Sequence, residues 1–410
     1  MTRMRFGASG GASGDPPAAR KAARATRQRI INRPLALLFV ATVGALTSFY
    51  LLLSVVPLFA TSVGAGGIGA GLTTGALMFS TVGAELAAPR LMARFGYRMA
   101  FAAGLVLLGA PALALTASAN LATILVVCIV RGLGFAMTVV AGSALVAALV
   151  PHERRGEGLG LYGIVVGVPS MVALPLGVWL IEQIGYPPVF IAGALVALAG
   201  LAVVPGLPGR QPRAQQPVGV LTGLRTPALA RPAVVFAATA VAAGVVITFV
   251  PLAVARGSGN LAAVALLVQA TTATLARWWA GRRGDRNGPA GLIMPAVLTA
   301  GVGMSALVLI ASPTAVVTGM VLFGAGFGVA QNASLALMFD RVQASGYGTV
   351  SAVWNLAYDA GLGVGGAAFG VITAQTGYPI AFALTAALVL AAVVPAWRDR
   401  SAGHAVSAPG

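Results

Sequence analysis

The chain has 410 residues, 58% of them hydrophobic and only 9% charged, and carries a net charge of +17. A soluble domain has about 25% charged residues, so water is excluded as the main solvent. Nucleic-acid binding is excluded as the reason for the positive charge, because the basic residues fall in short gaps between apolar runs.

Residues 1–34 are rich in Gly, Ala, Ser, Pro and Arg and read as a disordered basic tail that favours anionic lipid. Twelve apolar runs follow, at 35–60, 66–88, 97–117, 120–149, 159–181, 188–206, 232–254, 260–280, 289–311, 314–338, 347–375 and 378–396. Most are close to the ~20 residues that a membrane-spanning helix needs. The first run is too long, and its basic lead too extended, for a cleaved signal peptide. The expected fold is an all-α membrane protein of twelve transmembrane helices. Residues 207–231, the one long polar gap, hold Pro208, Pro212, Pro217, Pro227 and four Arg. They separate six runs (35–206) from six (232–397), and a short tail, 398–410, closes the chain. With both termini inside, 24 of the 26 Lys and Arg lie in inner gaps and tails. Only Arg256 lies outside, and Arg131 lies within a span. Basic residues accumulate on the cytoplasmic side, so both termini are expected there.

The two sets of six match each other. Arg94-Phe-Gly96 pairs with Arg286-Asn-Gly288, Gly134-Phe135 with Gly326-Phe327, and Gly185-Tyr-Pro with Gly377-Tyr-Pro, each at an offset of 192. Arg155-Gly-Glu-Gly158 pairs with Ser345-Gly-Tyr-Gly348 at 190. A structural repeat of six helices is expected, with a site near the midplane between the repeats.

Three residues within or beside the spans carry unusual charges. Asp359 lies midway along the eleventh run, where a carboxylate costs about 2.5–3.5 kcal/mol even on a lenient scale. It either faces a cavity and exchanges a proton, or is permanently ionised and paired, for example with Arg131. Arg131 in the fourth run cannot shed its charge and needs a cavity or a carboxylate. Glu85, five residues before Arg90, is read first as an acid on the inner surface and second as a proton site. Asn355 shares a helix face with Asp359, and Trp354 and Tyr358 form a neighbouring pair. Phe49, Tyr50, Phe249, Gln331 and Asn332 are the remaining candidates for a cavity wall. Asp340-Arg341 reads as an interfacial gate or cap. The lone cysteine, Cys128, reads as a core residue. His152 and His404 are the only histidines, and Lys21 follows no phosphate-binding glycine loop. No metal, cofactor or ATP-hydrolysing site is therefore expected, and no nucleophile–base constellation suggests an enzyme.

From about residue 35 to 397 the chain resembles major facilitator superfamily transporters, most of all bacterial drug:proton antiporters. The family signature between helices 2 and 3, Gly-x-Leu-x-Asp-Arg-x-Gly-Arg-Arg, is similar to Pro89-Arg-Leu-Met-Ala-Arg-Phe-Gly-Tyr-Arg98. Arg90, Arg94, Gly96 and Arg98 belong to this stretch, but Ala93 stands where the family has Asp. The second copy keeps Gly281, Asp285, Arg286 and Gly288, and the resemblance implies that Asp285 helps latch the two halves. Arg131-Gly-Leu-Gly-Phe-Ala resembles the helix-4 arginine motif, which implies a part in proton coupling. Gly163-x3-Gly167-Val-Pro169 and Pro175-Leu-Gly177 resemble the antiporter motif of helix 5. The resemblance implies a monomeric, proton-coupled exporter of small, partly apolar compounds in the bacterial inner membrane, with Asp359, Arg131 and Glu85 as coupling candidates. A proton symporter or facilitator importing a metabolite is the alternative, and a non-transporting membrane sensor the remote one.

Overall fold

A computed structural model describes residues 32–150, 155–208, 220–254, 260–343 and 346–406. Residues 1–31 of the basic tail, residues 209–219 of the linker and Ser345 of the matched motif 345–348 lie outside those residues.

The described chain is helical throughout. Its helices are α1 (Arg33–Ser62), α2 (Gly66–Phe95), α3 (Tyr97–Gly109), α4 (Leu121–Leu149), α5 (Arg155–Ile184) and α6 (Tyr186–Ala199). After a short helix, Val220–Arg225, come α7 (Pro227–Ala253), α8 (Leu261–Asn287), α9 (Ala290–Ala306), α10 (Pro313–Asp340), α11 (Tyr347–Ala391) and α12 (Val393–Val406). Among the described residues, ten stretches are long and apolar enough to cross a membrane, the last running from Thr349 to Asp399. The glycine- and threonine-rich α2 is less apolar and is not one of them. The chain is a multi-pass membrane protein.

Local chemistry sets many of the boundaries. Asn32 caps α1 by accepting from the Leu35 amide at 2.9 Å, with Pro34 in the first turn. Asn120 caps α4 in the same way at 2.8 Å. α3 and α6 tighten into 3-10 turns at Ala110–Thr116 and Gly200–Gly206, where Pro111 and Pro205 interrupt α-helical pairing. The apolar pattern underestimates several helices, because a helix does not stop at the bilayer edge. α2, α5 and α8 extend past their apolar runs to Phe95, Ile184 and Asn287. The eleventh and twelfth runs are not parted by a loop. α11 continues through both, broken only at Gly377, whose φ is 76°. The expected tail at 398–410 begins inside α12.

Packing contacts recur along the chain at the offset seen in the sequence. A Cβ on Gly134 would lie 2.4 Å from the Leu108 amide nitrogen, and one on Gly326 would lie 2.4 Å from that of Ala300. Gly132 is pressed against Leu77 and Ser80, and Gly324 against Gln269 and Thr272. Every residue of the second set is 192 later than its counterpart. Gly96 and Gly288 share φ values of 87° and 78°, and Gly185 and Gly377 share 76°. That left-handed region is open chiefly to glycine.

Between the two halves of the sequence, α2 packs along α11 and α5 against α8. The α2–α11 contact is close because both surfaces are glycine. A Cβ on Gly71 would sit 2.4 Å from the Gly366 carbonyl oxygen, and one on Gly370 2.6 Å from that of Gly67. Thr74 and Thr248 hydrogen-bond across the same region at 2.9 Å.

Candidate functional site

Asp359 is buried, 4% exposed, on the face of α11 that meets α2. There its carboxyl lies within hydrogen-bonding reach of the Glu85 carboxyl. Two carboxyls can bond each other only by holding a proton between them, since two carboxylates have no hydrogen to donate. Glu85 thus stands against Asp359 rather than at the helix end as the substitute latch acid expected of it. The pair joins helices from the two halves of the sequence.

Arg131 does not pair with Asp359. It is 2% exposed, and its guanidinium donates to the carbonyl of Leu108 and, at 3.1 Å, to that of Ser48. Leu108 lies in the last turn of α3, where the change to 3-10 geometry at Pro111 frees carbonyls and where a cation is favoured. Arg131 also lines a small, partly open cavity of about 10 Å³ with Phe49, Thr73, Thr74 and Cys128. Phe49 stacks on Phe135 with centroids 3.7 Å apart.

Arg277 corrects the sequence reading. It was counted among the basic residues of the gap after the eighth run, but α8 extends ten residues beyond it, to Asn287. Its Nε is buried with no hydrogen-bond partner. Among the described residues Arg277 has no ion pair, unlike Arg341, which pairs with Asp399. Tyr50 of α1 and Tyr358 of α11 each lie in electrostatic range of both Arg277 and Asp359. Five side chains from α1, α2, α8 and α11 thus converge: Tyr50, Glu85, Arg277, Tyr358 and Asp359. Arg277 was legible in principle. The offset of 192 that relates the paired glycines carries Glu85 onto position 277.

The other candidates divide between the site and packing. Trp354 and Tyr358 stack on Phe236 of α7, with centroids 4.6 and 5.8 Å away, and the Trp354 indole donates to Ser334 Oγ at 3.1 Å. Asn355 is half-buried on the same stretch of α11. Phe249 is fully buried against Phe369 and is a core residue rather than a cavity wall. Gln331 keeps a buried Oε1 without a partner, and Asn332 lies 3.6 Å from where a Gly281 Cβ would be. In α5 Pro169 and Pro175 are buried, and Gly177 lets α1 approach so that Ser54 Oγ donates to the Leu174 carbonyl at 2.9 Å. Gly163 lies within α5.

Among the described residues, no ion pair involves the motif at the ends of α2 and α8. Arg94 and Asp285 are exposed, and Arg94 lies over the Phe95 ring. Arg98 is half-buried and Arg286 exposed, while the Arg90 side chain is outside the described set. Arg341, expected to gate or cap α10, instead forms a two-pronged pair with Asp399 of α12 at 2.9 and 3.0 Å. It also donates to the Ala228 carbonyl.

Three comparisons bear on this arrangement. The family model described as Major Facilitator Superfamily matches residues 38–366. Uncharacterized MFS-type transporters of Burkholderia mallei (strain SAVP1) and Burkholderia pseudomallei (strain K96243) are each 35% identical over 82 residues. That match covers 20% of this chain and 20% of each relative. Among solved structures, the xylose transporter XylE from E. coli, in a partially occluded inward open conformation, superposes with a TM-score of 0.73 at 13% identity, covering 90% of this chain and 98% of that one. The nucleoside transporter NupG gives 0.68 at 12%, covering 90% and 99%. A POT family transporter in complex with a thioalcohol-conjugated peptide gives 0.72 at 11%, covering 88% and 95%.

Proposed function

The chain belongs to the major facilitator superfamily, and from that premise we propose that it exports small, partly apolar compounds in exchange for protons by alternating access. The supporting observation is that the Glu85 and Asp359 carboxyls lie within hydrogen-bonding reach of each other. A proton held between two helices of opposite halves is released when the helices part. One chemical event is thereby tied to one movement, as coupling requires. The reading includes twelve spans, counting α2 and dividing α11 at Gly377, in two six-helix halves with both termini cytoplasmic in a bacterial inner membrane. Arg131 serves in it as a brace between α1, α3 and α4.

The test uses the full chain in proteoliposomes with an imposed pH gradient and a panel of amphipathic dyes. Wild-type protein is expected to drive dye against its gradient, and an uncoupler to stop it. Asp359→Asn is expected to abolish pH-driven transport while the protein still purifies as a folded species. Transport by Asp359→Asn that still follows the pH gradient would refute the coupling role.

The second reading is import of a metabolite with protons. It is favoured by the unpartnered Oε1 of Gln331 beside Asn332, a polar feature suited to a hydroxyl-bearing solute. Accumulation of solute on the side to which protons move would select it.

A further inference from the structure

Glu85 and Asp359 face each other across α2 and α11. Shifting both positions by the repeat offset of 192 turns Glu85 into Arg277 and brings Asp359 back to Gly167. Those two residues also face each other, across α8 and α5. A Cβ built on Gly167 would have one neighbour within 4 Å outside its own surroundings, the Nη1 of Arg277 at 3.8 Å. The same pair of positions therefore occurs twice in the molecule. In one copy a carboxyl fills the space opposite the α2 residue. In the other the opposing residue is a glycine, and the Arg277 guanidinium lies at van der Waals distance from where its side chain would begin.

The cation is unsatisfied. Arg277 Nε is buried without an acceptor, and no carboxylate among the described residues pairs with this side chain. The side chain is only part-buried, but its enclosed Nε has no acceptor, and its planar fork of donors matches two coplanar oxygens. Tyr50 of α1 and Tyr358 of α11 lie in its electrostatic field. Where the equivalent position of the first pair carries a carboxyl, this one carries none, so a carboxylate supplied by a ligand is the group that matches the guanidinium.

We infer that Arg277 and the vacant position opposite it at Gly167 bind the carboxylate of an organic anion carried by this protein. The inference rests on the transporter reading and narrows its substrates to small amphipathic carboxylic acids. Arg277 is a binding residue in this scheme, and Gly167 provides the room.

Two measurements test it on the purified full chain. In the first, thermal unfolding is followed with benzoate, salicylate and hexanoate, each against its own carboxamide. The carboxylates are expected to raise the Tm by a few degrees and the amides not to, since a ligand stabilises the state that binds it. Arg277→Gln and Gly167→Asp are each expected to remove the effect, whereas Arg282→Gln, at a neighbouring exposed cation, keeps it. The inference falls if no carboxylate exceeds its amide, or if inorganic phosphate raises the Tm as much as benzoate does. The second measurement needs no ligand. Gly167→Asp should unfold at a higher temperature than Gly167→Asn, and the difference should vanish when Arg277→Gln is added. Equal Tm values for the two variants would show that Arg277 does not face position 167. Failure of proton coupling is separately visible, because Asp359→Asn would retain pH-driven transport while carboxylate binding at Arg277 persisted.

Discussion

At the scale of single residues, the buried charges are held in three different ways. Arg131 is satisfied by backbone, Asp359 by a second carboxyl, and Arg277 by nothing in the described chain. The first predicts a structural phenotype. Arg131→Leu leaves the Ser48 and Leu108 carbonyls without their donor, at a cost of about 1–3 kcal/mol each. It should lower the Tm in detergent markedly, and a Tm equal to wild type would show that the two bonds are not made. Asp359 was conspicuous in the sequence because a carboxylate in an apolar run is rare. Its partner was not, because Glu85 stands near the polar end of its run, where an acid needs no explanation. Arg277 was hidden for the same reason. It precedes Arg282, Arg283 and Arg286, and the eye assigns all four to a loop. Only the helix continuing to Asn287 shows that it lies two to three turns within.

At the scale of elements, the α2–α11 contact depends on glycine. Because a Cβ on Gly71 would strike the Gly366 carbonyl, Gly71→Val should hold this end of α2 and α11 apart. Spin labels at the exposed Ile68 of α2 and Val371 of α11, beside the contact, should then report a longer mean distance by pulsed electron resonance. An unchanged distance distribution would mean that the helices are not close-packed there. The apolar pattern located nearly every helix, since bilayer thickness imposes a length that composition alone records. It could not place the joints. The α11 run ends at a Gly-Tyr-Pro sequence that looks like a loop, yet a single positive-φ residue turns the chain there. The registry between α2 and α11 was also unreadable, because facing glycines carry no pattern in either helix alone.

At the scale of the whole molecule, contacts recurring at 192 residues predict that the two halves respond alike to equivalent changes. Gly134→Leu and Gly326→Leu both drive a side chain into a neighbouring helix backbone. Both should abolish recovery of monodisperse protein, and selective tolerance of one would argue against equivalence. The proposed orientation is testable with one reactive thiol, since Cys128 is buried. Ser62→Cys should react with an impermeant maleimide in intact cells, and Arg283→Cys only after permeabilisation. The reverse pattern would invert the topology.

The break at Gly377 has a mechanical consequence. One residue joins the two segments of α11, so the joint contains no slack. Asp359 lies 18 residues before it, about 27 Å at helical rise. The second segment leads directly into α12, where Asp399 grips Arg341 at the end of α10. Through that joint and this ion pair, α11, α12 and α10 are tied into one connected unit. The link between α12 and α10 is a pair of parallel bonds sheltered from solvent on the Asp399 side, so salt screens it less than an exposed pair.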